Sequence, residues 1–197
     1  MRPIGKVLAV VVITTSAIVA GVQPASAFTV RNIVNDGFEN PAVWTGYFAA
    51  PGAAYVNTNQ AGAHSGQRYG VLWEEAGTGT WASLERLFTE PSGRGSCVAS
   101  IWIAPLLGDG NNHSRFNIEV IDPQTFTYVA LNPVDYQFPP QTLPSYAKYT
   151  LGACNLGGRQ LLFRVSQIGG NPVPGHPGLF YRTSSLLDDL SITCITF

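Results

Sequence analysis

Basic residues are scarce in this sequence, and lysine is the scarcest of them. Charged residues make up 12% of the chain, and Lys148 is the only lysine after residue 6. No basic run is present that could attract a phosphate backbone, so the sequence argues against a nucleic-acid partner. With so few charges, the surface must be hydrated mainly through Ser, Thr, Asn, Gln and backbone groups.

The motifs that usually mark a catalytic or zinc site are also missing. There is no Cys-x-x-Cys pair, no Gly-x-Ser-x-Gly nucleophile elbow and no His-Glu-x-x-His spacing. His64, His113 and His176 are isolated in loops rich in Gly, Asn or Pro. A Ser-His-Asp set assembled from distant loops stays open as an alternative.

A pair of carboxylates suited to glycoside hydrolysis is missing as well. Such a pair must flank the scissile bond, whereas the neighbours Glu74 and Glu75 would point to opposite faces of a strand. The Glu-x-Asp-x-x-Glu strand signature of glucanases is absent too. The sequence therefore predicts that the protein is not an enzyme.

The first 27 residues have the features of a secretory signal peptide. Arg2 and Lys6 precede the apolar run 7–22, and Ala25-Ser26-Ala27 is a small-residue cleavage site. A membrane anchor is the alternative, but the run is short and contains two threonines and a serine. No later segment is apolar enough for membrane insertion. We therefore expect a secreted, extracellular protein that begins at Phe28.

The mature chain, residues 28–197, suits a single domain with a sizeable core. Removing Arg2 and Lys6 from the eleven basic residues leaves nine against twelve acidic ones. Export permits disulfides, and the chain holds Cys97, Cys154 and Cys194. We favour the pair Cys97–Cys154, because Cys97 opens one strand-like run and Cys154 closes another; a pairing with Cys194 stays open.

The chain reads as short strands throughout. Apolar or alternating runs are separated by Gly, Pro, Asn and Ser, as in a sandwich. The predicted strands are 30–34, 68–73, 82–89, 96–104, 115–122, 126–131, 146–153, 160–168 and 184–197. Pro105 and Pro133 fall between these runs, where a residue without a ladder donor is expected. The pattern predicts an all-β, antiparallel β-sandwich.

Five motifs resemble, in order, those of a known family. They are Asn35-Asp36-Gly37-Phe38-Glu39 followed by Trp44, then the segments 64–70, 81–88, 97–103 and 187–192. The set resembles the jelly-roll carbohydrate-binding modules of the galactose-binding-domain-like superfamily, which are attached to bacterial cellulases and xylanases. The resemblance covers nearly the whole mature chain, and it implies a jelly roll that binds a polysaccharide or cell-surface glycan. It also implies that Trp44 and Trp102 pack inside the fold.

The resemblance also implies a structural calcium ion. In that family the counterparts of Glu39 and Asp189 commonly bind calcium, with carbonyls from a loop that here lies near Ser65. Oxygen donors of this kind suit the ion. The alternative is that both carboxylates only accept hydrogen bonds from turn amides. Asp36 and Asp188 are weaker candidates, because neighbours on a strand face opposite ways.

Sugars are recognised by aromatic rings that stack on them and by polar groups that bind their hydroxyls. Trp73 and Trp81 lie near loops and are the better aromatic candidates. The further predicted ligand-binding residues are Tyr47, Glu85, Tyr128 and Arg164. Arg164 could favour an acidic sugar, or it could pair with Glu119.

Two hypotheses of different classes follow. The first is a secreted, non-catalytic carbohydrate-binding protein. The second is a structural or protein-interaction domain that keeps the jelly roll without a sugar site. The odd number of cysteines favours the second, because a free Cys194 or Cys97 could form an intermolecular disulfide. A face with two or more exposed aromatic rings beside polar groups would favour the first.

Overall fold

The structure is a computed structural model that describes residues 28–74, 80–106, 113–137, 145–154, 157–168, 175–177 and 183–197. The predicted signal peptide, 1–27, lies outside the described residues. Among those that are described, no helix is long and apolar enough to cross a membrane.

Eleven strands account for the regular structure of the described residues, beside two short 3-10 turns, Pro41–Val43 and Gln60–Gly62. The strands are β1 (Thr29–Asp36), β2 (Thr45–Phe48), β3 (Gly52–Asn57), β4 (Tyr69–Glu74), β5 (Trp81–Thr89), β6 (Gly95–Leu106), β7 (His113–Asp122), β8 (Thr127–Gln137), β9 (Ala147–Cys154), β10 (Gln160–Ile168) and β11 (Thr183–Thr196).

These strands form two antiparallel sheets that pack face to face. Sheet A has the order β3-β4-β11-β6-β9, with β1 paired to the second half of β11. Sheet B has the order β2-β5-β10-β7-β8. The predicted all-β sandwich is confirmed.

The core lies between the two sheets, and alternating residues of each strand supply it. Its largest fully buried side chains include three phenylalanines, Phe38, Phe116 and Phe163. Phe38 stacks on Trp44 with ring centroids 4.2 Å apart, so Trp44 packs inside as predicted. Trp102 does not, because its neighbours Ile101 and Ile103 face the core.

All nine predicted strands are present, but two were missed. β2 and β3 are short, and the first of them is exposed along its whole length, so neither has a clear apolar pattern. Two prolines predicted between strands lie inside them. Pro133 is on β8, an edge strand, and Pro105 lies beyond the point where β9 stops pairing with β6. A missing N–H is tolerated at both places.

The predicted disulfide is wrong: the bond joins Cys97 and Cys194. These residues are direct partners on the neighbouring strands β6 and β11, and both are buried. The register of β9 places Cys154 opposite Ser96 instead. Runs that open and close strands do not reveal this register, so the sequence argument chose the wrong partner. The intermolecular disulfide suggested for Cys97 or Cys194 loses its basis.

One buried ion pair links the two sheets through the core. Arg86 of β5 pairs with Asp36 of β1, and Trp44 Nε1 donates to Asp36 Oδ2 at 3.0 Å. The Arg86 guanidinium also lies 6.0 Å from the centroid of the Trp44 ring. Burial lowers the pKa of Arg86. Asp36 is therefore a core partner of Arg86.

Candidate functional site

The outer face of sheet B is uncovered in the described structure, and we call it the open face. Side chains reach it because alternate residues of each strand point away from the core. Its described members include Thr45, Tyr47, Trp81, Ser83, Glu85, Leu87, Asn117, Glu119, Tyr128, Leu162, Arg164 and Ser166. It therefore combines aromatic rings, hydroxyls, an amide and charged groups of both signs.

A row of charged side chains crosses the middle of the open face. The register places Arg164 of β10 between Glu85 of β5 and Glu119 of β7. Arg164 Nε donates to Glu119 Oε2, and its Nη1 lies 3.5 Å from Glu85 Oε1. Glu119 is only 1% exposed, so the guanidinium compensates a charge that water does not reach.

The balance of forces on Arg164 favours its charged form. Burial lowers the pKa of its guanidinium, but the hydrogen bond and charge of Glu119 and the charge of Glu85 outweigh burial, so the pKa is raised. Ser166 and Ser83 extend the row, because their hydroxyls donate to Glu119 and Glu85 respectively, each at 3.4 Å.

Two pockets lie on the open face, and members of this row border both. The first, of about 310 Å³, is the Trp81 pocket; its described lining is Trp81, Ser83, Asn117, Glu119, Tyr128, Arg164 and Ser166. The second, of about 440 Å³, is the Tyr47 pocket; its described lining is Ala42, Val43, Thr45, Tyr47, Glu85, Leu87 and Leu162. Each pocket combines an aromatic ring with polar groups.

The open face brings together most of the residues predicted from sequence. Five of the six predicted ligand residues lie on it, namely Tyr47, Trp81, Glu85, Tyr128 and Arg164. The sixth, Trp73, is on β4 of the other sheet and packs against a separate apolar cluster. Sequence reasoning overlooked Ser83 and Ser166. Both alternate with core residues on predicted strands, so the two-residue period could have revealed them.

Part of the outer face of sheet A is covered by the segment 58–68, and we call this part the covered face. Tyr69, Val71, Ala104 and Leu186 form a small buried cluster there, against which Ala63, Trp73, Leu106 and Tyr146 pack. Tyr146 donates from its hydroxyl to Gly62 O at 2.7 Å. His64 stacks on Trp102 with ring centroids 4.3 Å apart. The segment therefore shields aromatic side chains that would otherwise face water.

Three carboxylates fasten this segment to the fold. Asp188 Oδ2 accepts hydrogen bonds from the backbone N–H groups of His64 at 2.7 Å and Ser65 at 3.0 Å. Asp189 contacts the same two residues, with Ser65 Oγ at 2.5 Å and His64 Nδ1 at 2.6 Å. Glu39 Oε1 accepts from the backbone of residues 67 and 68, at 2.6 and 3.0 Å.

A β-bulge explains why two neighbouring aspartates reach the same segment. The pairing of β11 with β6 shifts register between Asp188 and Ser191, and Asp189 has φ +47°. The bulge breaks the strict alternation that made Asp188 a weaker candidate. Burial raises the pKa of Asp188, against the lowering effect of hydrogen bonds from the backbone of Ser65, Asp189 and His64.

Phe38, like Asp189, has a positive backbone φ angle. Its φ is +62°, so Phe38 rather than Gly37 takes the left-handed conformation at the turn after β1. Left-handed non-glycine residues cost of order 1–3 kcal/mol each and cluster at functional sites. Here one precedes Glu39 and the other is Asp189 itself, so two of the three such residues described adjoin the three-carboxylate anchor; the third, Phe126, lies in the turn before β8.

The oxygen donors at this anchor fit a calcium ion in type. A Cβ at Gly37 would lie 3.3 Å from Asp189 Oδ1, 3.6 Å from Ser65 Oγ and 3.7 Å from Asp188 Oδ1. Glycine thus leaves a space that hard oxygens surround, which is the chemistry calcium prefers. No group of three or more His, Cys, Asp or Glu side chains in the described part of the chain could hold a metal. An ion would therefore also need hydroxyl and backbone oxygens.

Comparison with solved structures identifies the fold. No protein-family model and no curated protein matches the chain. The chain is similar to TmCBM61 in complex with β-1,4-galactotriose, with 15% identity, 82% of this chain and 97% of that chain covered, and a TM-score of 0.55. It is also similar to the K3 cleaved adhesin domain of Lys-gingipain from Porphyromonas gingivalis w83, with 15% identity, coverage of 82% and 98%, and a TM-score of 0.50. The chain therefore has the β-sandwich fold of a carbohydrate-binding module, as the predicted resemblance implied.

The open face also brings together a pair of carboxylates that the sequence did not suggest. Glu85 and Glu119 point to the same side of sheet B, two strands apart. A glycosidase needs room for the scissile bond between its two carboxylates. Here the Arg164 guanidinium occupies that position and contacts both, so the arrangement suits binding better than hydrolysis.

Proposed function

We propose that this protein is a secreted, non-catalytic carbohydrate-binding protein whose open face binds a polysaccharide or cell-surface glycan. The observation that carries the proposal is the Trp81 pocket. Trp81 and Tyr128 are 40% and 57% exposed there, and both border a pocket lined by hydroxyl, amide and charged groups. Exposed rings stack on the apolar side of a sugar, and the polar groups between them can bind its hydroxyls.

The Tyr47 pocket extends this surface beyond a single sugar ring. It adjoins the Trp81 pocket across the contact between Glu85 and Arg164, and Tyr47 is 49% exposed. A glycan chain lying across β5 and β10 would enter both pockets. The proposed ligand is therefore a chain of several sugars.

We further propose that a structural calcium ion reinforces the three-carboxylate anchor. Glu39, Asp189 and Ser65 would hold it together with backbone carbonyls, and the ion would supply a positive charge that their oxygens share. Binding to the folded state alone would stabilise the protein by mass action. The ion would lie at the covered face, so it would act on stability and not on glycan contacts.

A glycan array tests the proposed function. The mature protein, residues 28–197, is applied with and without added calcium, and β-1,4-galactan is included because TmCBM61 was solved with a galactotriose. We expect selective binding to one class of polysaccharide and no release of reducing ends. Trp81→Ala should weaken that binding roughly tenfold, about 1.4 kcal/mol. Absence of binding to any glycan would contradict the proposal.

Secretion is tested separately from binding. We expect the protein to be recovered from the culture medium of an expressing bacterium with Phe28 as its first residue, measured by intact mass and N-terminal sequencing. Replacing Ala25 and Ala27 by bulky residues should retain the uncleaved form, because the cleavage site needs small residues. A product in the medium that still carried residues 1–27 would contradict the signal-peptide proposal.

A second candidate function is a protein-interaction domain. Exposed apolar side chains favour it: Phe28, Val30, Val98, Ile195 and Phe197 are 36–71% exposed, on sheet A or at its chain ends. Such side chains suit a protein partner. If the array shows no glycan, affinity capture with wild type and a Val30→Ser, Val98→Ser, Ile195→Ser variant tests this candidate. Equal capture by both would contradict it.

A further inference from the structure

We infer that the open face selects uncharged glycans and discriminates against glycans that carry carboxylates. This inference rests on the proposed function, because it names the ligand class of the same face. It resolves the choice that the sequence left open for Arg164, between an acidic sugar and a protein carboxylate.

The first argument is the charge of the two pockets. Among their described lining residues, Arg164 is the one cation, and Glu85 and Glu119 are the two anions. The described lining therefore has a net charge of minus one. A carboxylate brought into either pocket would approach a glutamate as well as the arginine, and like charges held together disfavour binding.

The second argument is that Arg164 already has partners. Its Nε is bonded to Glu119 and its Nη1 lies 3.5 Å from Glu85. Recognition of a ligand carboxylate by arginine works best through two parallel N–H donors. A pair that includes Nε would have to displace Glu119, whose side chain is only 2% exposed, and a buried carboxylate left without its partner is strongly unfavourable. The other pair, Nη1 with Nη2, lies beside Glu85, so a ligand carboxylate there would have to compete with that glutamate.

The third argument is that the remaining groups suit hydroxyls. Ser83, Asn117 and Ser166 line the Trp81 pocket and carry donors and acceptors without charge. Glu85, at the border of the Tyr47 pocket, carries acceptor oxygens, and a carboxylate accepts strongly from a hydroxyl. Neutral sugars present many hydroxyl donors, whereas a ligand carboxylate presents only acceptors. The charged row therefore favours a ligand hydroxyl and repels a ligand carboxylate.

The experiment compares paired glycans that differ at C6, where one member carries an uncharged group and the other a carboxylate. The probes are β-1,4-galactan, hydroxyethyl cellulose and methyl-esterified homogalacturonan, each beside a form that carries carboxylates at C6. Affinity of residues 28–197 is measured for each pair at low and at high salt. We expect binding to the neutral member of a pair to be at least tenfold tighter. Added salt should lower the ratio of neutral to carboxylated affinity, because it screens the repulsion between the ligand and protein carboxylates.

Two substitutions test the assigned cause. Glu119→Gln releases Arg164 from its main partner, so the ratio of neutral to carboxylated affinity should fall from at least tenfold to about threefold or less. Glu85→Gln should lower the ratio less, and it keeps the test available if Glu119→Gln fails to fold. Glu90→Gln is the matched control. Glu90 is also buried and paired with an arginine, Arg159 at 3.1 Å, but it does not belong to either described pocket lining.

The outcomes separate this inference from the proposed function. Tighter binding to a neutral member, with a ratio lowered by Glu119→Gln or Glu85→Gln and unchanged by Glu90→Gln, supports the inference. Equal or tighter binding to the carboxylated member overturns the inference while the proposed function stands. An equal change in the ratio from Glu90→Gln also overturns it, because overall charge would then be the cause. No binding to any probe or array glycan overturns both.

Discussion

The outer faces of the two sheets carry similar side chains but differ in what lies over them. On the covered face, Trp102 lies beneath His64 of the segment 58–68, and Trp73 packs beside the cluster that this segment helps to bury. On the open face, Trp81 and Tyr128 remain 40% and 57% exposed. The difference teaches that an aromatic residue on an outer face is a ligand candidate only where the chain leaves that face uncovered.

The carboxylates of the two faces differ in the same way. On the covered face, Asp188 accepts hydrogen bonds from backbone amides and so holds a segment of the chain in place. On the open face, Glu85 and Glu119 contact the side chain of Arg164 and border pockets. One set of acids organises the backbone, and the other shapes the surface that a ligand would meet.

The largest expected effect comes from releasing the covered segment. Asp188→Ala removes the acceptor of three backbone amides, those of His64, Ser65 and Asp189. We expect the free energy of unfolding, measured with urea, to fall by roughly 3 kcal/mol, with glycan affinity unchanged. The control is Asp122→Ala, which removes an acceptor from one backbone amide and from Arg159. An equal loss in both variants would contradict the anchor.

Removal of calcium should have the next largest effect. An ion present at a hundred times its Kd stabilises the folded state by about 2.7 kcal/mol, so a chelator should lower the melting temperature by roughly 5 to 10 °C. The melting temperature of Asp189→Ala should not respond to the chelator, since this variant lacks one of the proposed ligands. Scanning calorimetry measures the melting temperatures of both proteins. A wild-type melting temperature that the chelator leaves unchanged would contradict the proposed calcium site.

Trp73→Ala sharpens the comparison between the faces. Trp73 is half-buried against the cluster of Val71 and Leu186, so we expect the free energy of unfolding to fall by roughly 2 kcal/mol. Glycan affinity should stay within the error of calorimetry, in contrast to Trp81→Ala. A loss of glycan affinity without a loss of stability would contradict this account, because it would place the binding site on the covered face.

The smallest expected effect concerns the edge of the open face. Tyr47→Ala should weaken binding of long oligosaccharides roughly threefold and leave the free energy of unfolding within about 0.5 kcal/mol. The matched control is Tyr55→Ala. Tyr55 is 47% exposed against 49% for Tyr47 but lies on β3 of sheet A. Similar losses from both variants would show that the Tyr47 pocket contributes nothing specific.

The sequence predicted the strands well, because alternation of apolar and polar residues is a local signal. The run 160–168 matches β10 at both ends. The same local pattern found most of the open face. It could not separate Trp73 from Trp81, because local alternation does not show that the segment between β3 and β4 folds back over the outer face of sheet A.

What the sequence could not predict depends on register. The disulfide between Cys97 and Cys194 follows from the pairing of β6 with β11. The contribution of both Asp188 and Asp189 to the three-carboxylate anchor follows from a bulge in that same pair of strands. The row formed by Glu85, Arg164 and Glu119 likewise needs three strands aligned side by side. Such alignments join residues far apart in sequence, where no local pattern records them.

The most direct test of the open face is to map ligand contacts by nuclear magnetic resonance. Isotope-labelled residues 28–197 are titrated with the glycan selected by the array, and the backbone amide signals are followed. The account predicts shifts concentrated at Ser83, Asn117 and Ser166 on the open face, with the signals of the covered segment 58–68 unmoved. Shifts concentrated in that segment, without shifts on the open face, would contradict the claim that the open face binds the glycan.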